Sequence, residues 1–226
     1  MNLDVSDQRI RPYKPSPPFE LRHASTHRPL LIGVPERRLL AIDGAGPRTA
    51  GDFRLATTLL RTVGEVVRKM MLRTQHADAV RRVLEVTWPI EPGLTVDEIL
   101  EVLSGRTPRW RQMIELPNAA TDAMAVDAID QARRLGGRDL SLVRLIRLTE
   151  GPAVQILHLG TDEEATSIRK LYGFVAESGH QGGGDLHELV IADPITVGRA
   201  RGRSIFRVPI IVAYRREPDA DVADRD

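Results

Sequence analysis

Two stretches of this chain carry the same order of patterned segments, and that doubling most restricts what the chain can fold into. The first opens with a short apolar run at 38–45, closed by Gly44 and Gly46. It continues through 52–73, where Ala56, Leu59, Leu60, Val63, Val67, Met70 and Met71 recur at intervals of three and four. That spacing lays one apolar stripe along a helix. Two β-patterned runs follow, 83–88 and 110–116. The second stretch opens at 153–159. Its helix carries Ala165, Ile168, Leu171, Tyr172 and Val175 and stops at Gly179, the residue expected just past a helix C-terminus. The runs 186–191 and 205–213 complete it. Strand, helix, strand, strand occurs twice, so the expectation is an α+β domain. The repeat is one of element order, without visible sequence identity.

Between the copies, Thr95 and Glu98 are spaced as a capping box that opens a short helix ending at Gly105. Asn118 or Thr121 opens another, running to Leu135 before Gly136-Gly137. Thr161 and Glu164 have the capping-box spacing ahead of the second-copy helix. The run 142–148 is β-rich and is expected to pair with 153–159 across Glu150-Gly151-Pro152. Pro209 predicts that the last strand is an edge or carries a bulge. Residues 1–35 read as a proline-rich extended lead-in, whose piece 29–35 can lie against the domain as an edge. The domain itself spans 36–214, and 215–226 read as a disordered charged tail.

Composition removes several function classes. There is no cysteine, hence no disulfide framework, zinc ribbon or thiol nucleophile. No apolar run approaches the roughly 20 residues that span a bilayer, and the N-terminus lacks the pattern of a secretory signal. A cytoplasmic location is the expectation, with no membrane partner. With 32 basic and 31 acidic residues the formal net charge is +1. That balance offers no field for nucleic acid, and no helix-turn-helix precedes the domain, so direct nucleic-acid binding is not expected. Arg199, Arg201, Arg203 and Arg207 form the densest basic group and read as a solvated face. Nothing in the pattern sets an oligomeric state.

Glu188 is the most informative polar residue. In Leu-His-Glu-Leu-Val-Ile it shares a strand face with Leu186 and Val190. A carboxylate between apolar neighbours is either a pocket acid or the partner of an arginine at the sheet rim. His187 points to the opposite face and cannot pair with it. His158 also lies in a strand-like run. Neither histidine has metal-ligand spacing, so no metal and no cofactor are expected. Trp88 and Trp110 stand out in a chain only 4% aromatic, because each indole N–H needs a partner wherever it is buried. Gly44-Ala45-Gly46-Pro47 lacks the third glycine of a dinucleotide fingerprint and the lysine of a P-loop. No Gly-x-Ser-x-Gly elbow occurs.

With these residues in view the chain resembles the GyrI-like family, the small-molecule-binding domain of multidrug-sensing transcription activators. The matching stretches are Tyr13 to Pro35 followed by Leu39-Leu40-Ala41-Ile42-Asp43-Gly44-Ala45-Gly46-Pro47; Phe53 entering a long helix; Leu84-Glu85 with Trp88; Trp110 to Pro117; Glu150 to Gly160; Leu186 to Pro194; and Arg207-Val208-Pro209. The resemblance implies two strand-helix-strand-strand units related by a pseudo-twofold. It also implies an antiparallel sheet with helices on one side and a ligand cleft between the units. Glu188 falls at the position of the pocket acid. The expected ligand-binding set is Glu188, Trp110, Trp88, Phe53, Met113, Tyr172 and His158, with Glu188 as the catalytic candidate. Two departures stand out: Val190 replaces a common tyrosine, and Leu186-His187 replaces a pair of histidines.

The leading expectation is a stand-alone domain that binds a small, largely apolar organic molecule, organic cations included. The alternative is a hydrolase of a strained, cyclopropanoid-type natural product, as some stand-alone members resemble. A third reading is a protein-interaction module that modulates a topoisomerase.

Overall fold

The computed structural model describes residues 27–73, 83–136 and 139–211. Among them nine strands form one antiparallel sheet. The first unit comprises β2 (Arg37–Ala45), α1 (Gly51–Arg73), β3 (Leu84–Trp88) and β4 (Arg109–Glu115). The second comprises β6 (Gly151–Leu159), α4 (Glu164–Glu177), β8 (Leu186–Ala192) and β9 (Arg203–Ile211). The remaining strands are β1 (Leu30–Val34), β5 (Arg144–Leu148) and the two-residue β7 (Gln181–Gly182). Strand order is β1-β6-β9-β8-β3-β4-β2-β5, with β7 on β9. Read outward from the centre, β8-β9-β6 mirrors β3-β4-β2. The doubled order in the sequence is therefore a pseudo-twofold in space, and β3 and β8 form its seam. They pair from Leu84↔Val190 to Trp88↔Leu186, with Val86 opposite Glu188.

Helix α1 packs on β2 and β4, and α4 packs on β6 and β9. Strand alternation sends Leu40, Ile42, Leu84, Val86, Ile114, Val154, Ile156, Leu186, Phe206 and Val208 toward the helices as one core. Two helices are inserted: α2 (Val96–Ser104) between β3 and β4, and α3 (Asp122–Gly136) between β4 and β5. The capping box of α2 forms as expected: Thr95 Oγ1 accepts from the Glu98 N–H, and the Glu98 carboxylate accepts from the Thr95 N–H. At α3 it is Thr121, rather than Asn118, whose hydroxyl accepts from the Met124 N–H. The stretch 29–35 supplies the edge strand β1, paired with β6. Residues 1–26 and the expected tail lie outside the described residues. No helix among those described is long and apolar enough to cross a membrane.

Four expectations are corrected. The run around 144–148 does not form a hairpin with 153–159: β5 pairs with β2, and β6 pairs with β1 and β9. Pro209 lies on an interior strand, not an edge. Its missing N–H is harmless because β8 ends its ladder at Arg207, and the Pro209 carbonyl accepts instead from the Gly183 N–H. The irregularity falls on β8, between Val190 and Ala192. Thr161 and Glu164 form no capping box: Glu163 is the N-cap and makes no side-chain cap bond. A short helix α5 (Pro194–Val197) and a 3-10 turn (Arg199–Arg201) also interrupt the link from β8 to β9.

The links β1–β2 and β5–β6 reveal the sheet's curvature. Each joins strands on opposite sides of the sheet through two residues, Pro35-Glu36 and Thr149-Glu150. Three Cα steps reach at most about 11 Å. The two edges must therefore converge at this end, so the sheet curls with its helix-free face inward. Across that concave face Arg37 Nη1 meets Glu85 Oε1 at 2.9 Å, and its Nη2 meets Glu150 Oε2 at 2.8 Å. Arg207 Nη1 stands 3.0 Å from the same Glu150 oxygen. His187 lies between the acids, with Nδ1 2.8 Å from Glu150 Oε1 and Nε2 2.9 Å from Glu85 Oε2. All of these side chains are buried. Burial alone would lower the His187 pKa, but Glu150 and Glu85 outweigh it and the net shift is upward. Burial would raise Glu85, but Arg37 and His187 hold it down at about 2, with Glu150 opposing them.

These shifts set a stability profile. The raised His187 contributes fully below about pH 6.5, and its contribution is lost as pH rises through its folded value. The depressed Glu85 contributes above about pH 4.3 and is lost as pH falls toward about 2. We expect His187→Gln to cost about 3–5 kcal/mol, because it leaves buried carboxylates short of a partner. Urea unfolding measures this, and the variant loses the wild-type decline in stability above neutral pH.

Candidate functional site

The helix face of the seam carries a second polar group, built around Glu188. Its carboxylate is 3% exposed. Ser204 Oγ, from the neighbouring β9, donates to Glu188 Oε1 at 2.8 Å. Arg48 approaches from the opposite half with a fork: Nη1 donates to Oε1 at 3.2 Å and Nη2 stands 2.9 Å from Oε2. Arg48 Nη2 also donates to Glu164 Oε1 at 3.0 Å. That contact explains the absent capping box, since the Glu164 carboxylate at the start of α4 is turned toward Arg48. The Arg48 guanidinium lies 4.9 Å from the centroid of the Trp88 ring, within cation–π range. Arg48 and Trp88 belong to the first unit, and Glu164, Glu188 and Ser204 to the second. One cation thus joins the two halves across the seam.

The local sequence explains how Arg48 reaches this point. Gly44 lies directly opposite Trp110 in the β2–β4 ladder. A Cβ at Gly44 would stand 2.2 Å from the Trp110 ring, so only glycine lets the indole lie over β2. Gly46 adopts φ +111°, a value that favours glycine. Its carbonyl accepts the Trp110 Nε1–H at 3.1 Å. The turn Pro47–Ala50 then closes with the Ala50 N–H on the Pro47 carbonyl and carries Arg48. The pair of glycines that failed as a phosphate loop is a seat for Trp110 and a mount for Arg48.

The aromatic wall is continuous. Phe53 stacks on Trp88 with centroids 6.2 Å apart and meets Trp110 edge-on at 5.2 Å. Gln112 anchors this corner: its Nε2 donates to the Phe53 carbonyl at 2.8 Å, and its Oε1 accepts from Thr57 at 2.7 Å. Trp88 Nε1 is buried and has no hydrogen-bond partner among the described residues. On the other flank, His158 Nδ1 lies 3.0 Å from Ser167 Oγ, and its ring packs 5.3 Å from that of Phe206. Burial lowers the His158 pKa, with Glu188 opposing and Arg48 contributing, so the imidazole is mostly neutral at pH 7. Burial raises Glu164 against the pull of Arg48, and the Glu188 carboxylate adds to the rise.

Of the residues expected at the site, Glu188, Trp88, Phe53, Trp110 and His158 face the helix side around the seam. Met113 does not: it packs with Leu39 and Ala41 on the concave face. Tyr172 sits beside Gly182 and Asp185, where burial pushes its hydroxyl pKa up, and that hydroxyl has no hydrogen-bond partner among the described residues. Arg48, Glu164 and Ser204 were not anticipated. Arg48 carried no signal beyond following a glycine-proline turn, because both carboxylates it holds are more than a hundred residues away. Ser204 was legible in principle, by pairing the strand of Glu188 with its successor. Among the described residues no cluster of three or more His, Cys, Asp or Glu is arranged to hold a metal ion. A separate hollow of about 530 Å³ lies outside the seam, against Ile90, Pro92, Val102, Arg106 and Pro108.

No protein-family model and no curated protein matches the chain. Solved structures do share its architecture. An uncharacterized conserved protein from Listeria innocua superimposes with a TM-score of 0.73 at 24% identity, over 85% of this chain and 97% of that one. A hydrolase from Listeria innocua gives 0.72 at 23% identity, over 85% and 96%. The C-terminal domain of EcmrR gives 0.52 at 9% identity, over 82% and 98%. The chain belongs to the class of α+β domains built from two strand-helix-strand-strand units around a shared antiparallel sheet. Its fold is the GyrI-like fold.

Gly44→Ala tests the support of this site. The added methyl must push the Trp110 ring off its seat, so we expect a loss of about 1–3 kcal/mol. Urea unfolding measures the loss, and a shift in the Trp110 emission, read in a Trp88→Phe background, reports the displaced ring.

Proposed function

We propose that this chain is a small-molecule-binding domain whose ligand occupies the cleft at the seam between its halves. The ligand lies against Trp88 and Phe53 and above Glu188. The observation that carries this reading is a buried carboxylate on a strand of the helix-covered sheet face, at the junction of the two units. It stands beside an aromatic wall and is paired with the partly exposed Arg48 side chain. A purely structural ion pair has no need of the stacked wall beside it, and the buried Trp88 N–H, without a partner among the described residues, is a donor that a ligand acceptor would satisfy. Flat organic molecules with a hydrogen-bond acceptor fit this combination. The GyrI-like fold, shared with the EcmrR C-terminal domain, supports the same reading.

A thermal-shift screen with lipophilic cations and planar natural products tests it. A ligand present at a hundred times its Kd adds about 2.7 kcal/mol to stability. We expect hits whose stabilisation disappears in Trp88→Ala and weakens in Glu188→Gln. Hits indifferent to both substitutions would place the ligand elsewhere and overturn the reading.

One observation favours hydrolysis as a second reading. The imidazole of His158 lies opposite Ser204, the residue that holds Glu188, and is oriented by Ser167, and burial lowers its pKa, which supplies a base near the carboxylate. The hydrolase from Listeria innocua with the same fold supports it. If a hit is turned over, mass spectrometry shows a product heavier by one water, and His158→Gln abolishes that product while binding persists. A hit that returns unchanged after prolonged incubation contradicts this second reading.

A further inference from the structure

The cleft already contains a cation, and it belongs to the protein. Arg48 Nη1 and Nη2 engage both oxygens of Glu188, Nη2 also reaches Glu164, and the guanidinium lies over the indole of Trp88. Two carboxylates and an aromatic face are the elements that recognise an organic cation. Here all three are engaged by one side chain. Its forked geometry pairs with a carboxylate in a way a bulky quaternary ammonium or phosphonium centre cannot match. The attachment of Arg48 raises its effective concentration at the site far above that of any free ligand. It is also always protonated, because Glu188 and Glu164 outweigh the effect of burial and raise its pKa further.

We propose that Arg48 sets the charge class of the ligand: it holds the cation subsite over Glu188, so this chain takes uncharged flat molecules and excludes organic cations. This rests on the binding reading above and deepens it. A cation that enters must expel Arg48 or place a second positive charge against it in a partly desolvated cleft. An uncharged ring meets neither obstacle: sliding between the guanidinium and the Trp88 ring, it displaces only the cation–π contact and leaves Arg48 paired with both carboxylates. Arg48 also ties the turn of the first unit to the strand and helix of the second. Cation exclusion and closure of the cleft are therefore one contact.

Two flat probes with the same ring system differ in charge: acridine, uncharged at pH 7.5, and N-methylacridinium, a permanent cation; the change of their ratio between wild type and Arg48 variants cancels the methyl group and the lost acceptor. Their affinities are measured by fluorescence titration on the intact chain. We expect the wild type to favour acridine by at least about tenfold, a discrimination of about 1.4 kcal/mol. Arg48→Met keeps an unbranched chain over Trp88 but frees both carboxylates. We expect it to bind N-methylacridinium more tightly than acridine, and the double variant Arg48→Met, Glu188→Gln to lose that gain. Arg48→Lys retains the charge and is expected to retain the preference of the wild type. Arg48→Gln repeats the test if the methionine variant does not fold, as judged by circular dichroism. An unchanged ratio in Arg48→Met or its substitute Arg48→Gln, or a wild type that prefers the cation, overturns the inference while leaving the binding site in place. Failure of both probes to bind the wild type and the Arg48 variants overturns the binding reading and the inference together.

Discussion

The pairing of β3 with β8 is the contact on which the rest of this molecule depends. It joins the two strand-helix-strand-strand units into one sheet, and its register decides which side chains face which way. With Val86 opposite Glu188, the alternation of both strands puts Glu188 and Trp88 on the helix side. The same alternation puts Glu85 and His187 on the concave side. A slip of one residue would exchange the two sets and leave every one of these groups without its partner. The seam is where both halves contribute charge, and each face resolves that charge differently.

On the concave face the solution is saturation. Two arginines, two glutamates and a histidine from β2, β3, β8, β9 and the β5–β6 link meet with little access to water, and their attraction lowers the two carboxylates and raises the imidazole against the effect of burial. That arrangement makes a pH-sensitive base for the sheet. On the helix face the solution is partial. Glu188 is held by Arg48 from the Pro47–Ala50 turn and by Ser204, beside aromatic rings and an indole donor that has no partner among the described residues. On the binding reading proposed above, that difference separates a structural use of buried charge from a functional one.

Much of the scaffold was legible in the sequence, because helix and strand periodicities are local. The stripe of Ala56 to Met71, the capping box of Thr95 with Glu98 and the stop at Gly179 all appear where the pattern put them. Long-range pairing was not legible. The turn Glu150-Gly151-Pro152 looks like a hairpin, yet the curl of the sheet sends β5 and β6 to different partners. Glu164 looks like a capping residue until a cation from 116 positions earlier in the chain claims its carboxylate. At the site, strand alternation selected Glu188, and spacing along β4 put Trp110 on the helix side. Met113 lies one residue out of phase with Trp110 and faces the other way. Arg48 was invisible because its role rests on two distant acids and on the glycine seat that aims its turn.

The account stands on the claim that ligand binds under Arg48 and against Trp88. Side-chain NMR reads that directly, through the Nε–Hε resonance of Arg48 and the Nε1–H resonances of the two tryptophans during titration with a hit compound. The account predicts that Arg48 and Trp88 shift first and furthest, with Trp88 Nε1–H moving downfield as it gains an acceptor. Unmoved Arg48 and Trp88 resonances, alongside shifts confined to residues around the hollow at Ile90, Val102 and Arg106, would contradict it.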